Sequence, residues 1–151
     1  MIPQGIERIH AYAFAYCDGL TEIIIPDSVT EIDECILLEC HDLIRIRGGN
    51  YTEIPSTMIT NDYELAEFVV PRSVSVIRKG ALTNLATRAV YIPASVETIE
   101  AGALWTAADA VLYCEAAEQP EGWQEGWYIT GGWRDGSENQ IEVVWNAKMP
   151  D

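Results

Sequence analysis

The chain has 151 residues, enough for one domain with a buried core and too few for a two-domain enzyme. Nine Lys and Arg against 24 Asp and Glu give a net charge of -15, which sets the average surface against phosphate backbones and anionic headgroups, and so against nucleic acid and membrane surfaces as partners. A hydrophobic content of 48% is that of a soluble globular chain, and no apolar run approaches the roughly 18 to 20 residues of a membrane span.

The first ten residues, MIPQGIERIH, hold neither a basic n-region nor an apolar h-region, so the chain as given is not expected to be its own export precursor. From Ile2 onward it repeats itself. IPQGIERIHAYAFAYCDGLTEI matches IPDSVTEIDECILLECHDLIRI column by column, VPRSVSVIRKGALTNLATRAVY and IPASVETIEAGALWTAADAVLY follow the same pattern, and residues 48–69 are a degenerate copy with Gly48 and Gly49 in place of the apolar-Pro pair. The five copies are bounded at 1–24, 25–47, 48–69, 70–91 and 92–114, with a segment 115–151 after them.

Three columns are apolar throughout: Ile6, Val29, Tyr51, Val74, Val96; then Ile9, Ile32, Ile54, Ile77, Ile99; then Phe14, Leu37, Ile59, Leu82, Leu104. One unit of 22 or 23 residues cannot enclose an apolar face alone, so the copies must stack and bury these columns as continuous ladders. Before each proline an alternating segment such as Thr21 to Ile25 or Glu67 to Val70 reads as a strand, one short parallel strand per repeat. Pro3, Pro26, Pro71 and Pro93 end these strands because proline donates nothing to a ladder. Gly5, Ser28, Asn50, Ser73 and Ser95 follow two residues later and suit turns that satisfy backbone groups locally. The second half of each repeat, such as Glu34 to Glu39, is expected to be irregular or one to two helical turns.

The columns I-P-x-S-V-x-x-I, then Ala13-Phe14, then C-x-x-L at Cys17 to Leu20 and Cys40 to Leu43 closely resemble the BspA-type leucine-rich repeat family over residues 1–114. The tail is similar to the segment that often closes such arrays: Tyr113-Cys114-Glu115-Ala116, Gln119-Pro120, Gly122-Trp123, Trp127 and Val143-Val144-Trp145. The third copy departs from the pattern in losing its proline and its Ala-Phe pair, and Leu85 and Ala107 stand where Cys is usual. Residues 129–142 look like an insertion within the tail. The resemblance implies an α/β-type repeat forming a right-handed leucine-rich β-solenoid with an aromatic C-terminal cap. It also implies surface-exposed adhesion to host or neighbouring-cell proteins, as in bacterial surface leucine-rich repeat proteins, and hence an extracellular or cell-surface location.

The chemistry-bearing residues give little support to catalysis. Four cysteines are few for a secreted disulfide scaffold and lack paired CxxC spacing. Cys17 and Cys40 share a column, so stacking places them about 5 Å apart, as two buried thiols or as an unforced disulfide. Cys114 aligns with Ile25 and Ile92 as a buried thiol, and Cys35 is expected to be the more exposed one. His10 and His41 fall in different columns with no second polar partner at a matched position, so no catalytic residue is assigned. The run Asp135-Gly136-Ser137-Glu138-Asn139 lacks the Gly and Glu an EF-hand loop needs, since Gln140 and Asn146 hold those positions. No metal or cofactor is expected.

The outward stripe of the strands is Ile24, Arg47, Val69, Tyr91 and Tyr113, with Glu22, Arg45, Glu67, Ala89, Val111 beside it and then Thr21, Ile44, Ala66, Arg88, Ala110. Aromatic and Arg side chains dominate binding hot spots, so Ile24, Arg45, Arg47, Val69, Arg88, Tyr91 and Tyr113 are the candidate surface for a protein ligand. β-branched and aromatic residues also satisfy strand propensity, which leaves a purely structural spacer as the alternative. Trp123, Trp127, Tyr128, Trp133 and Trp145 suit either a cap over the last coil or stacking on sugar rings. Met1 directly precedes the first Ile-Pro pair, so either the chain is part of a longer array or the open edge of its first coil pairs with another chain.

Overall fold

The sequence Glu22-Ile23-Ile24-Ile25 sends Ile23 and Ile25 to one side of a strand and Glu22 and Ile24 to the other, and those two sides are buried and exposed respectively. This period repeats along the chain in a computed structural model that describes residues 1–61, 64–83, 86–106, 110–129 and 141–150. All strand pairs are parallel, successive copies lie on one another, and the chain winds as a β-solenoid.

Each full coil carries the expected strand and two more. The first face is built from Glu22–Ile25, Arg45–Gly48, Glu67–Val69, Ala89–Ile92, Val111–Cys114 and Glu142–Val144. It forms as two ladders, the first two strands and the last four. The second face is built from Arg8–Ile9, Glu31–Ile32, Glu53–Ile54, Val76–Ile77 and Thr98–Ile99. The third is built from Leu37–Leu38, Ile59–Thr60, Leu82–Thr83, Leu104–Trp105 and Tyr128–Ile129. The second half of the repeat is therefore neither irregular nor helical, and no helix occurs among the described residues. A two-residue strand there keeps its backbone groups paired to the coils above and below, as in Leu37 N donating to the Met58 carbonyl at 3.1 Å and Leu82 N to the Ala103 carbonyl at 3.1 Å.

The corner between the second and third faces needs a left-handed residue in every coil. Tyr12, Cys35 and Thr57 hold it at φ 61°, 55° and 54°, and Gly80, Gly102 and Gly126 hold it at 67°, 69° and 71°. The turn column closes its own turns as expected, Val29 N donating to the Pro26 carbonyl at 3.0 Å and Val74 N to the Pro71 carbonyl at 3.0 Å, and its serine side chains also link coils. Ser28 Oγ accepts from Gly5 N at 3.1 Å and donates to the Ile6 carbonyl at 2.8 Å, and Ser73 Oγ donates to the Tyr51 carbonyl at 2.8 Å. In a stacked array the unpaired groups nearest a serine belong to the preceding coil, not to its own turn.

The apolar columns fill the interior. Val29, Leu37, Ile54, Ile59, Val74, Ile77, Leu82 and Ile99 are fully buried, whereas Ile6 in the first coil is 40% exposed. The third copy keeps its place by a volume exchange. A Cβ on Gly49 would collide with the Tyr51 ring, and one on Gly48 with the Ile25 carbonyl oxygen. The bulk missing at the apolar-Pro positions is supplied by Tyr51, fully buried where its neighbours carry Val.

The tail extends the array instead of only covering it. Trp123 pairs with Ile99, Tyr128 with Leu104 and Val144 with Tyr113, so Trp123, Tyr128–Ile129 and Glu142–Val144 supply a sixth layer to all three faces. Trp123 and Trp127 are buried, their rings 4.9 Å apart in an edge contact, and Trp145 lies 5.8 Å from Trp123. Trp123 Nε1 donates to the Val96 carbonyl at 3.0 Å. Trp133 and the acidic run 135–139 lie outside the described residues.

Candidate partner-binding face

The first face presents the predicted stripe in register. Ile24 pairs with Arg47, Val69 with Tyr91, and Tyr91 with Tyr113, and pairing of Tyr113 with Val144 lengthens the stripe by one residue. Val144 escaped the sequence reading because the tail carries no repeat spacing to align it. Tyr91 and Tyr113 stack with centroids 4.8 Å apart and planes 11° from parallel, the separation that adjacent strands impose on equivalent side chains. Burial, the neighbouring Tyr113 and Glu67 raise the Tyr91 hydroxyl pKa, so the phenol stays protonated and able to donate.

The structure divides the candidate residues. Val69, Tyr91, Tyr113 and Val144 form one continuous half-exposed strip on the four-stranded ladder. Ile24, Arg45 and Arg47 lie on the two-stranded ladder, where Arg45 approaches Glu22 at 3.6 Å and Arg47 at 4.0 Å, so both guanidinium groups already face a carboxylate. Arg88 is exposed one column further, with Ala89 between it and the tyrosine strip. Ala110, expected on that outward column, is buried.

A second charged surface had no signal in the repeat pattern. Arg8 binds Glu31 at 3.0 Å and Asp33 at 2.7 Å, while Arg78 spans Glu53 at 2.7 Å and Glu100 at 3.0 Å. These partners are 22 to 25 residues apart, so the ladder that links coils becomes visible only once the coils are superposed. Arg8 holds the Asp33 carboxyl below its ordinary range, and the Lys79 backbone N–H with Arg78 does the same for Glu100.

His10 Nδ1 lies 3.3 Å from Asp33 and His41 Nδ1 3.5 Å from Asp18, and both imidazoles are exposed. The four cysteines form no disulfide: Cys40 and Cys114 are buried, Cys17 and Cys35 half-buried. Burial pushes the Cys114 thiol up to about 12. Cys40 Sγ donates to the Phe14 carbonyl at 2.9 Å, and Cys35 Sγ sits 3.0 Å from Thr57 Oγ1. Among the described residues no group of three or more His, Cys, Asp or Glu is placed to hold a metal ion, and no helix is long and apolar enough to cross a membrane.

The BspA-type leucine-rich repeat region, in six copies, matches residues 1–108. The chain belongs to this family. Its parallel coils are those of a leucine-rich repeat solenoid, and the family is one of protein-interaction repeat modules that are generally non-enzymatic. No curated protein and no solved structure matches the chain.

Proposed function

We propose that this BspA-type repeat protein is a non-enzymatic adhesion module that binds a protein ligand at a cell surface through the first face of its solenoid. The observation that carries the reading is the Tyr91–Tyr113 stack, continued by Val69 and Val144. Buried side chains would meet the demands of strand packing equally well, yet this strip stays half exposed on a chain whose surface is otherwise strongly acidic. Arg45, Arg47, Arg88 and Ile24 border the strip and would shape the rim of the contact. A carbohydrate site on the tail tryptophans has less support, since Trp123 and Trp127 are packed inside and Trp123 spends its indole N–H on the Val96 carbonyl.

A pull-down from extracellular-matrix extract and bacterial lysate with wild type and with Arg47→Ala/Tyr91→Ala tests this. A protein retained by wild type and lost by the double variant supports the face as the binding surface. Equal retention by both points to a structural spacer.

Self-association through the first coil is a second reading. It is favoured by an apolar hollow of about 620 Å³ at that end, lined in part by Ile2, Ile6, Ile9, Phe14, Leu20 and Ile23. Sedimentation velocity of wild type against Ile6→Glu tests it. A concentration-dependent dimer abolished by the charge supports it, and a monomer at all concentrations overturns it.

A further inference from the structure

We infer that the ligand segment of the tyrosine strip is a basic, extended peptide with an apolar centre, lying along the solenoid axis with one cationic residue against Glu67 and another against Glu142. The inference rests on the first face being a binding surface and names the chemistry that surface selects.

The argument comes from how charge is spent on this face. Glu22 lies between Arg45 and Arg47, and Glu115 at the border is held by both Arg72 nitrogens at 3.0 Å. Glu67 and Glu142 are exposed and form no ion pair among the described residues. They stand in one column as Glu67, Ala89, Val111, Glu142, fixed by the register Glu67 to Ala89, Ala89 to Val111 and Val111 to Glu142.

Between the two carboxylates lies a shallow apolar floor of Ala89 and Val111, walled on one side by the Tyr91–Tyr113 ledge. Each ledge ring covers one face of the other, and Val69 and Val144 stand in register on the outer sides, so a ligand above the strip meets ring edges and hydroxyls, which suit aliphatic side chains and peptide carbonyls. Three strand spacings separate the carboxylate positions, on the order of 14 Å. A polyproline-type peptide covers that span in about five residues at roughly 3.1 Å each. An acidic segment would instead bring like charge to Glu67 and Glu142 in the field of a chain with net charge -15.

The test uses the whole chain and three fluorescein-labelled hexapeptides: RPLPLR, its charge reversal EPLPLE, and RRPLPL with both cations at one end. Fluorescence anisotropy of RPLPLR should saturate and weaken as salt is raised. Affinity should fall about tenfold in Glu67→Gln/Glu142→Gln and in Tyr91→Ala/Tyr113→Ala, each checked for native circular dichroism. Binding of EPLPLE or RRPLPL as tight as RPLPLR overturns the inference, as does absence of RPLPLR binding up to about 1 mM.

Selection of random peptides on phage, with wild type against Tyr91→Ala/Tyr113→Ala, separates this failure from failure of the face itself. Face-dependent clones rich in Lys and Arg support the inference. Face-dependent clones that are acidic or neutral overturn it while keeping the binding surface. No face-dependent clone removes both.

Discussion

Thr57 occupies the same corner as Gly80, one coil earlier, with φ of 54° against 67°. A β-branched residue in the left-handed region is strained, because its Cβ crowds the following carbonyl, and the first three coils carry that strain where the last three use glycine. Thr57 Oγ1 recovers part of it by donating to the Ser56 carbonyl at 2.7 Å. The reverse exchange is cleaner: among the described residues a Cβ on Gly80 meets nothing closer than Thr83 Cγ2 at 3.8 Å, so the cost of Gly80→Ala is conformational. Gly80→Ala should lose about 1 to 2 kcal/mol in urea unfolding, and Thr57→Gly should gain up to about 1 kcal/mol. Loss of stability by Thr57→Gly would mean that its hydrogen bonds outweigh its backbone strain.

Ile54 sits fully buried at the middle of the ladder, with Ile77 paired beside it on the same face. Removing its side chain leaves a cavity that neither the preceding nor the following coil can collapse into without moving its own backbone ladder. Ile54→Ala should cost about 2 to 5 kcal/mol. A cost below about 0.5 kcal/mol, the level of an uninvolved surface change, would be incompatible with this register.

The inward ladders were legible because burial demands the same property at the same position in every coil, so Ile54 and Ile77 announce each other 23 residues apart. The two extra strands were not. Two-residue segments such as Leu82–Thr83 have too few positions to show an alternation, and only their cross-coil hydrogen bonds define them. The outward stripe was legible as a column, but its division was not, because Arg47 and Tyr91 differ in what lies beside them rather than in where they fall. Val144 and Trp123 extend columns across a tail whose spacing no longer follows 22 or 23 residues.

The ion-pair ladder gives a pH dependence with a defined sign. Asp33, Glu100 and Glu115 have folded pKa values below their ordinary 3.8, 4.5 and 4.5, so they stabilise the fold above those ordinary values. That stability is lost as pH falls through the depressed folded values. All three are at the surface, so the effect is modest and screened by salt. Acidification also relieves repulsion in a chain of net charge -15, which acts the other way. The difference in melting temperature between wild type and Glu100→Gln isolates the local effect. It should favour wild type at pH 7, shrink as pH falls below the ordinary value of 4.5 and vanish once pH is below the depressed folded value. A difference independent of pH would assign the role of Glu100 to packing alone.

Trp123 joins the sixth layer to the fifth through one buried hydrogen bond, from its indole N–H to the Val96 carbonyl at 3.0 Å. Trp123→Phe keeps a ring in the apolar space and removes the donor, leaving a buried carbonyl without that partner. The expected loss is about 1 to 3 kcal/mol, read by thermal unfolding followed by tryptophan-independent circular dichroism. An unchanged melting temperature would mean that the carbonyl finds a replacement donor.

Tyr51 offers the opposite outcome. Its ring is needed to fill the space that Gly48 and Gly49 leave, but its buried hydroxyl has no hydrogen-bond partner among the described residues, and burial raises its pKa above 10.0. Tyr51→Phe keeps the ring and deletes the unsatisfied group, so the protein should become more stable by about 1 kcal/mol. Gly49→Ala should be strongly destabilising, because the added methyl collides with that ring while the backbone sits at φ 88°. Loss of stability by Tyr51→Phe would reveal a partner for the hydroxyl, such as a bound water, and the third coil would then depend on polar satisfaction as well as volume.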